Sequence, residues 1–394
     1  MSSYTENKER HQMQFLSKAC IQGCGGMTRR ALLKTAAAGA GALAFSSPTV
    51  SAQQALRSVA ERKGLIYGAA TAIQLLQSDQ GYADLVASQA GMLVAEGHTK
   101  RASLQPDNRH FSFANADALL QFADTHQQRM RGHTLVWHRA NPDWLETTMK
   151  NNPDERLLTD YIAAVCTRYK GRFHSWDVVN EPVDPDQGHP DGLRTKSIWY
   201  QAFGERYIDI AFHAARQADP GVKLYLNETT TEANIWWSQA RRTSILKLID
   251  RLLARNVPIN GFGMEAHLAG FGVDYSQKVI ADFVRELTTR GLEVLVTELD
   301  ISDRSGPRDP LVRDTGVASL TKLFLDAVFS VEGAKGCLTW GISDKYSWLS
   351  VTPRFNREDG LRSRGLPFDE NFKPKPMFDA MVAAYSNAPD RRDL

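Results

Sequence analysis

The sequence predicts a single (β/α)8 barrel, and three observations carry that prediction. Short apolar or β-branched runs recur eight times from residue 64 onward, at intervals of roughly 30 to 45 residues. Longer amphipathic stretches separate them, as expected of helices that pack one face on a sheet. The closing residues of the runs are mostly carboxylates, imidazoles, amides and indoles, which suits the rim where a barrel carries its chemistry. A doubly wound open sheet is the competing layout of the same alternation.

In order, the predicted strands are Leu65 to Thr71, Met92 to Glu96, Met130 to Trp137 and Ser175 to Glu181. Lys223 to Glu228, Gly261 to Leu268, Glu293 to Asp300 and Cys337 to Ser343 follow. Between them, Leu157 to Tyr169 and Ile245 to Arg255 place apolar residues three and four apart, the spacing of one helix face. Asn115-Ala116-Asp117 supplies polar capping groups before the Ala118 to Ala123 stretch. No repeat, low-complexity tract or linker marks a second domain, so residues 53–394 read as one barrel.

Residues 1–52 read as an extension and export signal. Thr28-Arg29-Arg30-Ala31-Leu32-Leu33-Lys34 is a twin-arginine pattern, and the apolar run Thr35 to Phe45 is too short to span a bilayer. Val50-Ser51-Ala52 then offers a small-residue cleavage site, which places the mature protein in the periplasm or outside the cell. Met27 is an alternative start to Met1. The remaining cysteines, Cys166 and Cys337, fit buried apolar sites better than a bridge. A formal net charge of +2 gives no field that would recruit nucleic acid or an anionic membrane.

The strand ends put Glu96, His133, Trp137, Asn180, Glu181, Asn227, Glu228, Glu265, His267, Glu298, Asp300 and Trp340 at one rim. Glu181 closes the fourth strand in Trp176-Asp177-Val178-Val179-Asn180-Glu181-Pro182, and Glu298 lies at the end of the seventh. Strands four and seven face each other across a barrel mouth. Glycoside hydrolysis needs such a pair, one acid to protonate the leaving oxygen and one carboxylate to attack the anomeric carbon. His267 ends the neighbouring sixth strand, where it can hydrogen-bond Glu298 and be held in turn by Asp300.

These segments resemble glycoside hydrolase family 10, whose typical member is an endo-β-1,4-xylanase. The matching stretches are Gly132 to His138, Trp176 to Pro182, Gly261 to Leu268, Val296 to Asp300, Trp340 to Leu349 and Phe368 to Pro376. The resemblance covers residues 64–386. It implies Glu181 as acid/base, Glu298 as nucleophile, and His267 with Asp300 as the groups that orient Glu298. It further implies that Lys100, His133, Asn180 and Trp340 line the site of the attacked sugar, with Trp137 as a wall beneath it. Xylan or a xylo-oligosaccharide would be the substrate, cleaved by a monomer without metal or cofactor.

Four departures from the family pattern fall in the cleft. Glu96-Gly97-His98-Thr99-Lys100 has glycine where the family carries a sugar-binding asparagine, and Thr229 stands where it carries a tyrosine. Glu265 replaces a glutamine, adding a third carboxylate to the pair, so one pKa should rise and the pH optimum should fall. The loop ending Arg362-Ser363-Arg364-Gly365 lacks the tryptophan expected over the upstream sugars. Another β-1,4-glucan or an aryl glycoside therefore stays open as substrate, as does a silent sugar-binding barrel. A metallohydrolase built on His133, His138 and His267 is disfavoured, since alternation sends the first two to opposite faces. Nor does a glycine-rich phosphate loop follow the first strand.

Overall fold

A computed structural model describes residues 54–392. The twin-arginine segment and the boundary at residue 52 lie outside the described residues. Nine strands form one closed, wholly parallel sheet: β1 (Ile66–Thr71), β2 (Met92–Ala95), β3 (Arg129–Trp137), β4 (Ser175–Asn180), β5 (Lys223–Glu228), β6 (Gly261–Met264), β7 (His267–Ala269), β8 (Glu293–Ser302) and β9 (Ala334–Thr339). The hydrogen-bonded order runs β6-β5-β4-β3-β2-β1-β9-β8-β7, and β6 also pairs with β8. That last pairing closes the barrel and excludes the open doubly wound sheet.

Two expected strands are corrected. The sixth, expected as one run from Gly261 to Leu268, is broken into β6 and β7 by Ala266, whose φ is 61°. The eighth begins earlier, at Ala334, and ends at Thr339 instead of Ser343. Polar Lys335 and the glycine beside it obscured its start.

Helices fill the gaps because their apolar residues recur on one face. In the helix Gln277–Thr289, Ile280, Phe283, Val284 and Leu287 are buried, and Ser276 caps its start by accepting from the Val279 N–H. Each such side chain contributes about 2 kcal/mol by leaving water. The main apolar layer lies between sheet and helices. A smaller cluster of Ala70, Met92, Val94, Tyr225, Leu295, Leu338 and Trp340 fills the lumen beneath the rim. Arg131 is also buried there, bonded to Ser175 at 2.7 Å, ion-paired to Asp177 and stacked over Tyr225. Gly132 must lack a side chain, since a Cβ would sit 2.0 Å from the Trp176 ring.

At the N-terminal ends of the strands the chain ties itself shut. The Tyr385 hydroxyl donates to Ile66 O at 2.9 Å, and the Arg391 N–H donates to Lys63 O at 3.0 Å. Cys166 and Cys337 are buried free thiols, as expected. Among the described residues no helix is long and apolar enough to cross a membrane.

Candidate active site

The strand ends deliver their polar groups into one cleft. Glu181, one residue past β4, has a φ of 51°, a left-handed conformation that costs an ordinary side chain about 1–3 kcal/mol. Two hydrogen bonds hold it there: its N–H donates to Asn227 O at 2.9 Å, and Arg194 Nε donates to its carbonyl at 2.8 Å. The twist projects the carboxylate toward His138 Nδ1, 3.6 Å away, and Arg194 Nη2, 3.7 Å away. Burial and the nearby Arg194 and Arg139 charges press the His138 pKa down to about 2, so the ring stays neutral.

Glu298 sits inside β8 and is buried. His267 Nε2 lies 3.3 Å from its Oε2, and His267 Nδ1 lies 2.9 Å from Asp300 Oδ1. Asp300 also accepts from the Trp348 indole N–H. On the other side, Asn227 Nδ2 donates to Glu298 Oε1 at 2.9 Å, and His133 Nδ1 is 3.7 Å from that oxygen. His133 is braced by Asp177 at 3.1 Å, which is itself paired to Arg131. Burial alone would raise the Glu298 pKa. The charges of His133, His267 and Lys100 and the His267 hydrogen bond outweigh it and hold the carboxyl at about 2.

Burial and Glu298 push the Glu265 carboxyl in the opposite direction, well above the usual range. Burial lowers the His267 pKa, but Asp300 and Glu298 more than reverse this and keep it raised. Burial also raises Glu96 to about 7, against the field of Lys100. Lys100 Nζ lies 5.0 Å from the Trp137 ring and 5.5 Å from the Trp340 ring. Trp340 in turn meets His133 at 5.3 Å and His267 at 6.2 Å. A cation and two indole faces thus frame the floor between the carboxylates, a surface suited to a pyranose ring.

A family model for glycosyl hydrolase family 10 matches residues 55–384. The chain belongs to that family. Among its relatives, a thermostable celloxylanase from Thermoclostridium stercorarium is 34% identical, over 76% of this chain and 80% of that protein. Endo-1,4-beta-xylanase 3 of Hypocrea jecorina is 32% identical, over 84% of this chain and 86% of its own length. Of solved structures, xylanase B from Clostridium stercorarium F9 superimposes with a TM-score of 0.75 at 34% identity, covering 84% of this chain and 99% of that one.

In this family 10 hydrolase the residues singled out in the sequence lie at strand ends or in the loops that follow them, except His133 and Glu298, which lie within β3 and β8, Asp300, two residues short of the end of β8, and His267, which opens β7. Asn227, His138, Arg194 and Glu228 were missed or misplaced. Asn227 was noted at the rim without a role, yet its amide touches Asn180, Glu265 and Glu298 together. His138 and Arg194 lie beyond strand ends, and only the folded loops bring them to Glu181. His138 lies one residue past β3, so the alternation expected to part it from His133 does not govern it, and the β3–β4 ladder also shifts register between His133 and Val136. Glu228, placed at the rim, turns away from the cleft to pair with buried Arg241 at 3.0 Å and accept from Val183 N–H. Trp348, within the matching stretch Trp340 to Leu349, packs 5.0 Å from His267 and 4.3 Å from Phe355.

Among the described residues, the group close enough to hold a metal is Glu265, His267 and Glu298, with ligand atoms within 4.8 Å of one another. Two of its members already bond each other.

Proposed function

We propose that this hydrolase is a retaining endo-1,4-β-xylanase with Glu181 as acid/base and Glu298 as nucleophile. The observation that carries the reading is the setting of Glu298, a buried carboxylate 2.9 Å from the Asn227 amide and 3.3 Å from His267 Nε2, at the same rim as a second glutamate, Glu181. Glu181 would give its proton to the glycosidic oxygen while Glu298 attacks the anomeric carbon from the opposite face. The covalent glycosyl–enzyme then meets a water whose proton passes to Glu181, and two inversions leave the configuration retained. His267 and Asp300 orient Glu298. Lys100, His133, Asn180, Trp137, Trp340, Glu96 and Glu265 line the sugar site.

Xylan as substrate is supported by the relatives' names and by the shared aromatic floor. The twin-arginine pattern supports export, and we take the active unit to be the monomer. The test has two arms. Hydrolysis of xylan in preference to carboxymethyl-cellulose is expected, with the β-anomer as first product by proton NMR. A 2-deoxy-2-fluoro-xylobioside should label Glu298, located by peptide mass spectrometry. Label on another residue, or an α-anomer first, overturns the assignment.

A further inference from the structure

We propose that His138 is a positioning residue for Glu181, with a hydrogen on Nδ1 that bonds the Glu181 carboxylate once that group has given up its proton. The proposal rests on the glycosidase reading and concerns the second half of the reaction, in which Glu181 acts as a base.

Arg139 decides where the ring carries its hydrogen. Its Nε donates to His138 Nε2 at 3.0 Å. A guanidinium has donors only, so Nε2 must offer its lone pair and the one ring hydrogen sits on Nδ1. A doubly protonated ring would set two N–H groups against each other, so the same contact requires the neutral form. Nδ1 is buried, and among the described residues no group accepts its hydrogen. A buried donor without a partner is costly, and native structures rarely keep one without a use.

Glu181 Oε2 stands 3.6 Å from that nitrogen, just beyond hydrogen-bond length. The glutamate cannot turn away, because its backbone is fixed on both sides. Its N–H donates to Asn227 O at 2.9 Å, and its carbonyl accepts from Arg194 Nε at 2.8 Å. Arg194 is anchored in turn on Asp184 at 2.8 Å, and its Nη2 lies 3.7 Å from the same Oε2. Both cleft contacts fall on Oε2, which leaves Oε1 to exchange the proton. A side-chain shift of about 0.6 Å then closes the His138 bond.

The two halves of the reaction use this donor unequally. In the first, Glu181 gives its proton to the leaving oxygen as Glu298 bonds the anomeric carbon, and the resulting carboxylate gains the His138 hydrogen. In the second, water attacks that carbon, the bond to Glu298 breaks, and the water proton passes to Glu181. His138 holds the base in place for that step and keeps its own hydrogen, since Arg139 occupies the other nitrogen.

A 2,4-dinitrophenyl β-xylobioside isolates the second half. Its leaving group departs without a proton, so release of the sugar from Glu298 sets kcat, while kcat/KM reports the first step. His138→Leu should lower kcat and KM together by roughly 10- to 100-fold, the range of a hydrogen bond to a charged group, with kcat/KM held. His138→Asn, whose amide nitrogen falls at the Nδ1 position, should retain most of the rate, and azide, which attacks without giving up a proton, should restore the Leu variant. A Leu variant with normal kcat, or one whose kcat/KM falls as far as kcat, overturns the proposal. Nitrogen-15 NMR of wild type trapped with the 2-fluoro-xylobioside should show the His138 hydrogen on Nδ1. Finding it on Nε2 overturns the proposal even if the Leu variant fails to fold. Glu181→Ala separates the two readings, since a normal kcat in that variant sinks the acid/base assignment itself. If wild type turns over the dinitrophenyl cellobioside and not the xylobioside, the substrate reading fails and the same comparison is made on the cellobioside.

Discussion

Gly263 lies in β6 directly beside Asn227, and adding one methyl group there should cripple the enzyme. A Cβ at residue 263 would stand 1.9 Å from Asn227 Oδ1 and 2.9 Å from Thr297 Cγ2. Ordinary contact begins near 3.4 Å, so the amide must move by about 1.5 Å. That motion breaks the 2.8 Å bond from Thr297 and carries Nδ2 away from Glu298. A hydrogen bond to a charged group contributes about 1.5–3 kcal/mol, equivalent to a loss of roughly 10- to 100-fold in kcat. Overpacking of a dense interior adds about 1–3 kcal/mol of destabilisation, a Tm lower by a few degrees. The assay is kcat on an aryl β-xylobioside with Tm from calorimetry, using Gly97→Ala as control because no atom lies within 4 Å of a Cβ there. A Gly263→Ala variant with normal kcat, whatever its Tm, would refute the role given to Asn227.

Three further outcomes follow from the same structure. Gly97→Asn has room for its side chain and should lower KM on short substrates by about 2- to 10-fold, the range of one hydrogen bond, with kcat little changed; steady-state kinetics checks it. Arg241→Met leaves Glu228 buried without its cation, at a cost of about 3–5 kcal/mol. Calorimetry should therefore show one of the largest Tm losses of any single change outside the cleft, and a loss below about 1 kcal/mol would contradict the pairing. Burial raises Glu96 from its ordinary 4.5 to about 7, so the folded chain favours the protonated form. Its stabilising effect is full below pH 4.5 and is lost as pH rises through about 7. Glu96→Gln should flatten the decline of Tm across that window, and equal slopes in both proteins would count against the assignment.

The carboxylate pair was legible because a parallel barrel places strand ends on one rim, and an apolar run shows where each strand ends. Glu181 and Glu298 needed only that rule. Asn227 satisfied it too, but an amide at a strand end carries no chemistry until its neighbours are known. The break at Ala266 left no trace, since alanine is an ordinary residue and nothing in its identity marks a φ of 61°. Alternation likewise failed to place His138, which lies one residue past β3. Arg194 comes from a loop, where distance along the chain says little about distance in space. Of the site's polar balance, sequence supplied the third carboxylate at 265 and the His267 partner of Glu298, but not the amide contact from Asn227.

The knot of bonds among Lys63, Ile66, Tyr385 and Arg391 has a practical consequence for protein engineering. Arg391, near the last described residue, is hydrogen-bonded to Lys63, which follows the first described helix and precedes β1, at the face opposite the cleft. A short linker there would close the chain into a ring with little loop entropy to overcome. New ends could then be opened in the turns before the strands without disturbing any residue of the cleft, which makes this barrel a candidate for circular permutation.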